Sequence, residues 1–507
     1  MADLTLAALR KGGEAFMEAL VREQYLAVSG RKPNADLRPI YDRFAPLLGP
    51  GALELARDAF RTARPDSDEL RSARALLDWQ VEYHASRELA ELDERLIAWE
   101  AGSVIRLADG REVPYQRAPL EMATEADRNQ RLALDDARAS LVERELAPMR
   151  AERLQRERDL IEALEIAPSY VESFEALSGI DLRSLAAECE RFLRETDSMW
   201  ADVHGEAVRK HLGIRPEEAT RADALALMRA TRFDPYFPAA EMEPTVRRQV
   251  TEMGASPVAD GRIIYDLEPR PGKRSRAFCA PVRVPREVYL VLLPNGGATD
   301  YRTLLHELGH ALHFGYMRDD LPFEYRWLGD NSITEGYAML FDHLLHDPGW
   351  LLRYSALGRT RVGEYRRAAA FEELQFLRRY SAKLLYELRL YGGDTPWSSL
   401  PDAYVDILSS ATTFRYRTAD AFVDVDPRFY SARYLRAWQL QASLREALVA
   451  RFDEDWFRNP RTGSWMEREL FGEGQRELAS ELAERVGARP LTFEPVIKAI
   501  ESGLSAS

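Results

Sequence analysis

The sequence predicts a mainly α-helical protein with one small β-sheet just before a histidine-bearing helix. Two observations carry this. Long stretches repeat apolar residues at helical spacing, as in 72–102, 125–164 and 178–214. Short β-rich runs divided by Pro and Gly are confined mostly to 262–293, and helical patterning resumes after "NGGATD".

The elements follow in order. "SARALLDWQVEYHASRELAELDERLIAWEAG" (72–102) and "EADRNQRLALDDARASLVERELAPMRAERLQRERDLIEAL" (125–164) carry Glu and Arg at i,i+3 and i,i+4, which suits the solvated faces of long helices. Between them, Asp109-Gly110 predicts the turn of a short hairpin. The helical pattern of 178–214 has a natural stop at Gly213. "ATRFDPYFPAAEMEP" (230–244) holds three prolines and three aromatics and marks the main change of organisation. "RIIYDLEP", "RAFCAPVRV" and "EVYLVLLP" read as three strands. A chain of 507 residues is too long for one ordinary core. We expect an N-terminal helical lobe at 1–235 and a second lobe at 236–507, interleaving allowed.

Composition excludes several classes. With 46 % hydrophobic and 30 % charged residues the chain is globular. A net charge of −14 argues against nucleic acid as the main partner, because phosphate binding needs a basic stripe. No stretch reaches the roughly 18 uninterrupted apolar residues of a membrane span. The amphipathic start lacks the apolar core of a signal peptide. Cys189 and Cys279 are too few for a disulfide framework and fit a reducing compartment. The expectation is a cytoplasmic protein without a nucleic-acid or membrane partner.

The chemistry concentrates in "TLLHELGHALHFGYM" (303–317). His306 and His310 lie four residues apart, about 40° apart on a helix, so both imidazoles can bind one ion. Glu307 points about 100° round the helix from His306, and can serve as general base to a water at the metal without binding it. Thr299 or Asp300 is the expected cap, and Leu304, Leu308 and Ala311 form the core-facing side. Gly315 is expected to loosen the helix end.

A catalytic zinc takes three protein ligands and keeps one position open. His313 would strain to converge with two ligands on its own helix, so it reads as a residue that supports a ligand from behind, faces substrate or is packed. Glu335, in "GDNSITEGYAMLFDHLLHD" (329–347), is the stronger candidate. It lies near the start of a second helix expected to begin at Ser332 or Thr334, where a carboxylate suits the helix dipole. Asp342 returns to the same face seven residues later and can accept the free N–H of a ligand imidazole. His343 and His346 read as structural.

With those residues in place, the sequence resembles the M3 family of zinc metallopeptidases, the thimet oligopeptidase and oligoendopeptidase F group. "TLLHELGHALH", "GDNSITEGYAML", "PGKRSRAFCAPV" (271–282) and "YVDILSSATTFRYRTADAFVDVDPRFYSARYLRAW" (404–438) carry the likeness, which covers roughly 260–475. The resemblance implies a two-lobed helical body with a deep central channel. It implies one Zn²⁺ held by His306, His310 and Glu335, with Asp342 behind them. It further implies hydrolysis of bonds inside short peptides, with Glu307 activating water. The sheet at 262–293 would offer an edge to the peptide backbone.

The family's C-terminal region carries a His before several tyrosines that stabilise the transition state. This chain has no His after His346; Asp424 and Asp426 stand in that neighbourhood, and Ala437 replaces a further Tyr. Tyr434, then Tyr430, are the remaining oxyanion donors by this likeness. Three alternatives stay open. An M32-like zinc carboxypeptidase would carry a His-Glu pair where this chain has Thr334-Glu335. A zinc- or peptide-binding homologue without turnover is left open by the missing His, and a metal-free helical scaffold is the third.

Overall fold

The computed structural model describes residues 4–229, 231–274 and 276–506; Ser275, within the basic segment 271–282, lies outside the described residues. Helices dominate and the described strands are short, so the mainly α fold is as the periodicity predicts. The chain divides into two compact units: Met1–His84, Thr231–Ala369 and Arg436–Ser507 form one, and Ala85–Ala230 with Ala370–Leu435 form the other. Each unit thus draws on sequence from both sides of residue 235. Among the described residues, no helix is long and apolar enough to cross a membrane.

The first unit begins with helix α1 (Leu6–Val28), capped by Thr5, whose hydroxyl accepts from the Ala8 N–H at 3.2 Å. Leu9, Phe16 and Leu20 fall on one stripe and are buried with Phe44, Leu76, Trp79 and Phe323. The edges of Tyr41, Phe44 and Tyr83 meet the Phe16 ring.

The second unit holds the hairpin of β1 (Val104–Arg106) and β2 (Glu112–Pro114), with Ile105 opposite Val113. Gly110 turns it with φ at 87°, and Asp109 accepts from the Arg111 N–H at 2.9 Å. The run at 125–164 is not one continuous α-helix. It divides into Arg128–Leu141, a π-turn at Val142–Leu146, and Ala147–Glu162. Pro148 supplies the reason: it has no N–H to extend the ladder from the preceding turn. Gly213 ends Asp197–Leu212 in the left-handed conformation expected of it.

The three expected strands are β3 (Ile263–Asp266), β4 (Phe278–Arg283) and β5 (Glu287–Val291), in the first unit. Their order is β3-β5-β4, with β3 parallel and β4 antiparallel to central β5. Tyr25 of α1 packs with Ala280, Val282 and Val291, and stacks on Tyr289 at 4.0 Å between centroids. Buried Asp266 ties α1, β3 and the following loop together. It accepts from the Tyr25 hydroxyl at 2.9 Å, from Lys273 Nζ at 3.2 Å and from Arg270. Lys273 also donates to the carbonyls of Asp266 and Glu268 at 2.8 and 2.9 Å.

Burial opposes the Asp266 charge, but the bonds from Arg270, Tyr25 and Lys273 outweigh it and hold the carboxyl below its usual range. Stability carried by that charge is therefore complete above the unfolded value of about 3.9 and fades as pH falls toward the folded one. Asp266→Asn should cost on the order of 3 kcal/mol at pH 7. In thermal melts the gap to wild type should narrow below about pH 4; a gap equal at both pH values would refute this role.

Candidate metal centre

Helix α2 (Ala298–Tyr316) carries both histidines of the motif. It starts differently from the expectation that Thr299 or Asp300 caps it. Gly297 is the cap, with φ at 91°, and Thr299 lies inside the helix. Asp300 instead reaches back from the first turn and accepts from the N–H groups of Asn295 and Gly296 at 2.9 and 3.1 Å. Asp234 accepts from the Ala298 N–H at 3.2 Å. A Cβ on Gly297 would fall 2.7 Å from that Asp234 oxygen, so glycine is needed for both conformation and space. Leu304, Leu308 and Ala311 are buried as predicted. Gly315 does not loosen the helix end; it lets Ile263 of β3 pack close.

Helix α3 (Asn331–Asp342) begins a little before the expected Ser332 or Thr334. Its cap, Asp330, accepts from the Ser332 N–H with one oxygen and from the Ala479 N–H with the other, both at 2.9 Å. The residues from Ser332 to Phe341 are all buried: α2 lies against one side, and Leu440 at Gly336, Phe471 at Tyr337 and Trp456 at Phe341 cover others. The two backbones meet at Gly309. A Cβ there would stand 2.6 Å from both Ala338 Cα and the Tyr337 carbonyl oxygen. Only glycine permits this approach.

The crossing brings the three predicted ligands together. One donor atom from each of His306, His310 and Glu335 lies within 4.8 Å of the others. Glu335 Oε2 is 3.4 Å from His306 Nε2 and 3.9 Å from His310 Nε2. Ligands at about 2.05 Å around a tetrahedral zinc would stand roughly 3.3 Å apart, so the set fits an ion after small adjustment. The other ring nitrogens are engaged. His306 Nδ1 donates to Asp342 Oδ2 at 2.9 Å, and His310 Nδ1 lies 2.8 Å from the Thr334 hydroxyl. With the proton on Nδ1, each ring presents the Nε2 lone pair to the centre.

The field favours a cation. Burial works against a charged His306, but Asp342 and Glu335 overcome it and push the imidazole up to about 10. Burial pushes His310 down. Burial likewise opposes the Asp342 charge, yet His343 and His306 hold its carboxyl well below the usual range. Asp342 Oδ1 takes the Nδ1–H of His343 at 2.6 Å, so the carboxylate spans two imidazoles.

Glu307 stays outside the ligand group, as its helix position predicts. Its Oε2 accepts from the Cys279 N–H of β4 at 2.8 Å. His313 is fully buried among the rings of Phe314, Tyr337 and Phe471 and acts in packing. His343 and His346 stack at 5.1 Å between centroids. Tyr430 and Tyr434 belong to the other compact unit, at the start of the helix Tyr430–Phe452. There the two rings meet edge to face at 4.9 Å, and Tyr434 meets Tyr380 at 5.7 Å.

Sequence reasoning missed two partners. Thr334 was legible only as a helix-start residue, though its place just before Glu335 on a helix facing α2 was a usable signal. The Cys279 amide left no signal, since every residue but proline has one.

No protein-family model matches the chain, and no curated protein does either.

Thr334→Val removes the partner of His310 Nδ1 and should weaken zinc binding about 10–100-fold in chelator competition. Gly309→Ala should cost about 1–3 kcal/mol, read by thermal denaturation, because a methyl is forced against backbone. Wild-type affinity in the first variant or wild-type stability in the second would contradict these assignments.

Proposed function

We propose that the chain is a cytoplasmic, zinc-dependent peptidase that cuts bonds inside short peptides. The observation that carries the reading is the division of labour on α2. Two Nε2 atoms converge with a Glu335 oxygen, while Glu307, adjacent in sequence to His306, is held aside by a backbone amide. That is the separation a hydrolytic centre needs between ligands and base.

His306, His310 and Glu335 would hold the ion. Zn²⁺ bound there supplies a Lewis-acid charge that acidifies water and polarises a carbonyl group. Glu307 takes the proton from the attacking water and returns it to the leaving amine. Asp342 and Thr334 keep the imidazoles in the tautomer and orientation that this requires. Tyr434, or Tyr430 after it, donates to the developing oxyanion; that assignment rests on the likeness to M3 peptidases. The outer edge of β4 has no further strand among the described residues, but Glu307 takes its Cys279 N–H and Pro281 has none, so over 279–281 it offers only carbonyl acceptors to an extended peptide.

One observation favours a second reading, a zinc-holding peptide-binding protein without turnover. Asp424 and Asp426, which stand where the resemblance leads one to seek a His, are engaged in ion pairs. Asp424 pairs with Arg379 and accepts from the Tyr404 hydroxyl at 2.7 Å, and Asp426 lies 2.9 Å from Lys383 Nζ. Neither is free to replace a hydrogen-bond donor.

Mass spectrometry of a mixed peptide library incubated with zinc-replete protein decides between them. Internal cuts by the wild type, absent with Glu307→Gln at equal zinc content, are the expected result. Removal of single C-terminal residues would instead indicate a carboxypeptidase. No cleavage by folded, zinc-replete protein would leave the binding reading. Glu335→Ala should lose most of its zinc, and stoichiometric retention would remove Glu335 from the ligand set.

A further inference from the structure

The amide of Cys279 lies in an unusual place for a strand backbone group. In an antiparallel pair, successive residues turn their N–H and C=O alternately toward the partner and away from it. Cys279 pairs in register with Leu290, yet its N–H bonds the Glu307 carboxylate at 2.8 Å rather than β5. It therefore points off the free edge of β4. The next residue of the same parity is Pro281, which has no N–H to offer. Over 279–281, the outward side of β4 has this single backbone donor, and Glu307 takes it.

The strand that carries the donor is well braced. β4 pairs with β5, and its Ala280 and Val282 side chains pack under Tyr25 of α1. Glu307 itself is half-buried, on a flexible stem, beside a group of metal-ligand type. Left alone, its carboxylate could turn onto a cation and become a fourth ligand. One oxygen fixed on a rigid amide restrains that turn and leaves Oε1 for a water.

We propose that the backbone amide of Cys279 is a positioning group for the Glu307 carboxylate, holding it off the metal and aimed at water. Its catalytic meaning rests on the peptidase reading above. The thiol plays no part, since burial, and after it the Glu307 charge, pushes it well above its usual range and disfavours the thiolate. An edge-strand position whose N–H faces away from the ladder tolerates proline, so the amide can be deleted by substitution.

The test compares zinc-replete wild type, Cys279→Pro and Cys279→Ala on a peptide that the wild type cleaves. Cys279→Pro should lower kcat by about 10–100-fold while KM moves less than about threefold, with zinc retained. Cys279→Ala, which returns the amide, should recover most of that loss. A kcat for folded Cys279→Pro within about twofold of wild type would overturn the proposal. Residue-resolved hydrogen exchange gives a readout independent of activity and of whether Cys279→Pro folds. In Glu307→Ala the Cys279 amide should exchange at least about tenfold faster than in wild type, with the β5-facing Ala280 amide unchanged. Equal protection of Cys279 in both proteins would overturn the bond itself. Glu307-dependent protection in a wild type that cleaves no peptide would overturn the catalytic role and the peptidase reading, while leaving the bond in place.

Discussion

Two helices touch backbone to backbone at Gly309, and the candidate site depends on that contact. An α-helix can place His306 and His310 on one face by itself. It cannot supply a third ligand of suitable direction from the same face. Glu335 arrives only because α3 lies against α2 with no side chain between Gly309 and Ala338. The same closeness brings Thr334 to His310 and Asp342 to His306. One glycine thus sets both the ligand group and the hydrogen bonds that orient it.

The surrounding charge follows a consistent logic. Buried carboxylates need partners. Asp342 finds two imidazoles, Glu335 faces two Nε2 atoms, and Glu307 takes a backbone amide. Glu307 is thereby separated from the other two acids in place. The sheet contributes through rigidity: Asp266 fastens α1 and the 267–274 loop to β3, and α1 in turn backs β4.

How much of this was legible in the sequence depended on whether a periodicity encoded it. His306 with His310, and Glu335 with Asp342, follow helical spacing, and their faces could be read directly. The three strands were legible because Pro and Gly fence β-rich runs. The start of α2 was misplaced by two or three residues because Thr299 and Asp300 are better caps by type than Gly297. What Gly297 offers is a left-handed turn packed on Asp234, a long-range fact. The break at Val142–Leu146 was readable from Pro148 but was masked by strong charge patterning on either side. Thr334 as a partner of His310 required the interhelix distance, which no single-helix pattern contains. The Cys279 amide required the edge position and parity of β4. For Tyr430 and Tyr434 the sequence yields a four-residue spacing and a family likeness, and no spacing rule ties either phenol to α2.

The account stands on one centre built from two imidazoles and a carboxylate. X-ray absorption at the zinc edge, on protein stripped of loosely held metal and reloaded, reads that centre directly. It should report one zinc per chain with two imidazole nitrogens and otherwise oxygen, at about 2.0–2.1 Å. A sulfur shell near 2.3 Å, fewer than two imidazoles, or protein that retains no zinc would contradict the claim that α2 and α3 meet to hold a metal.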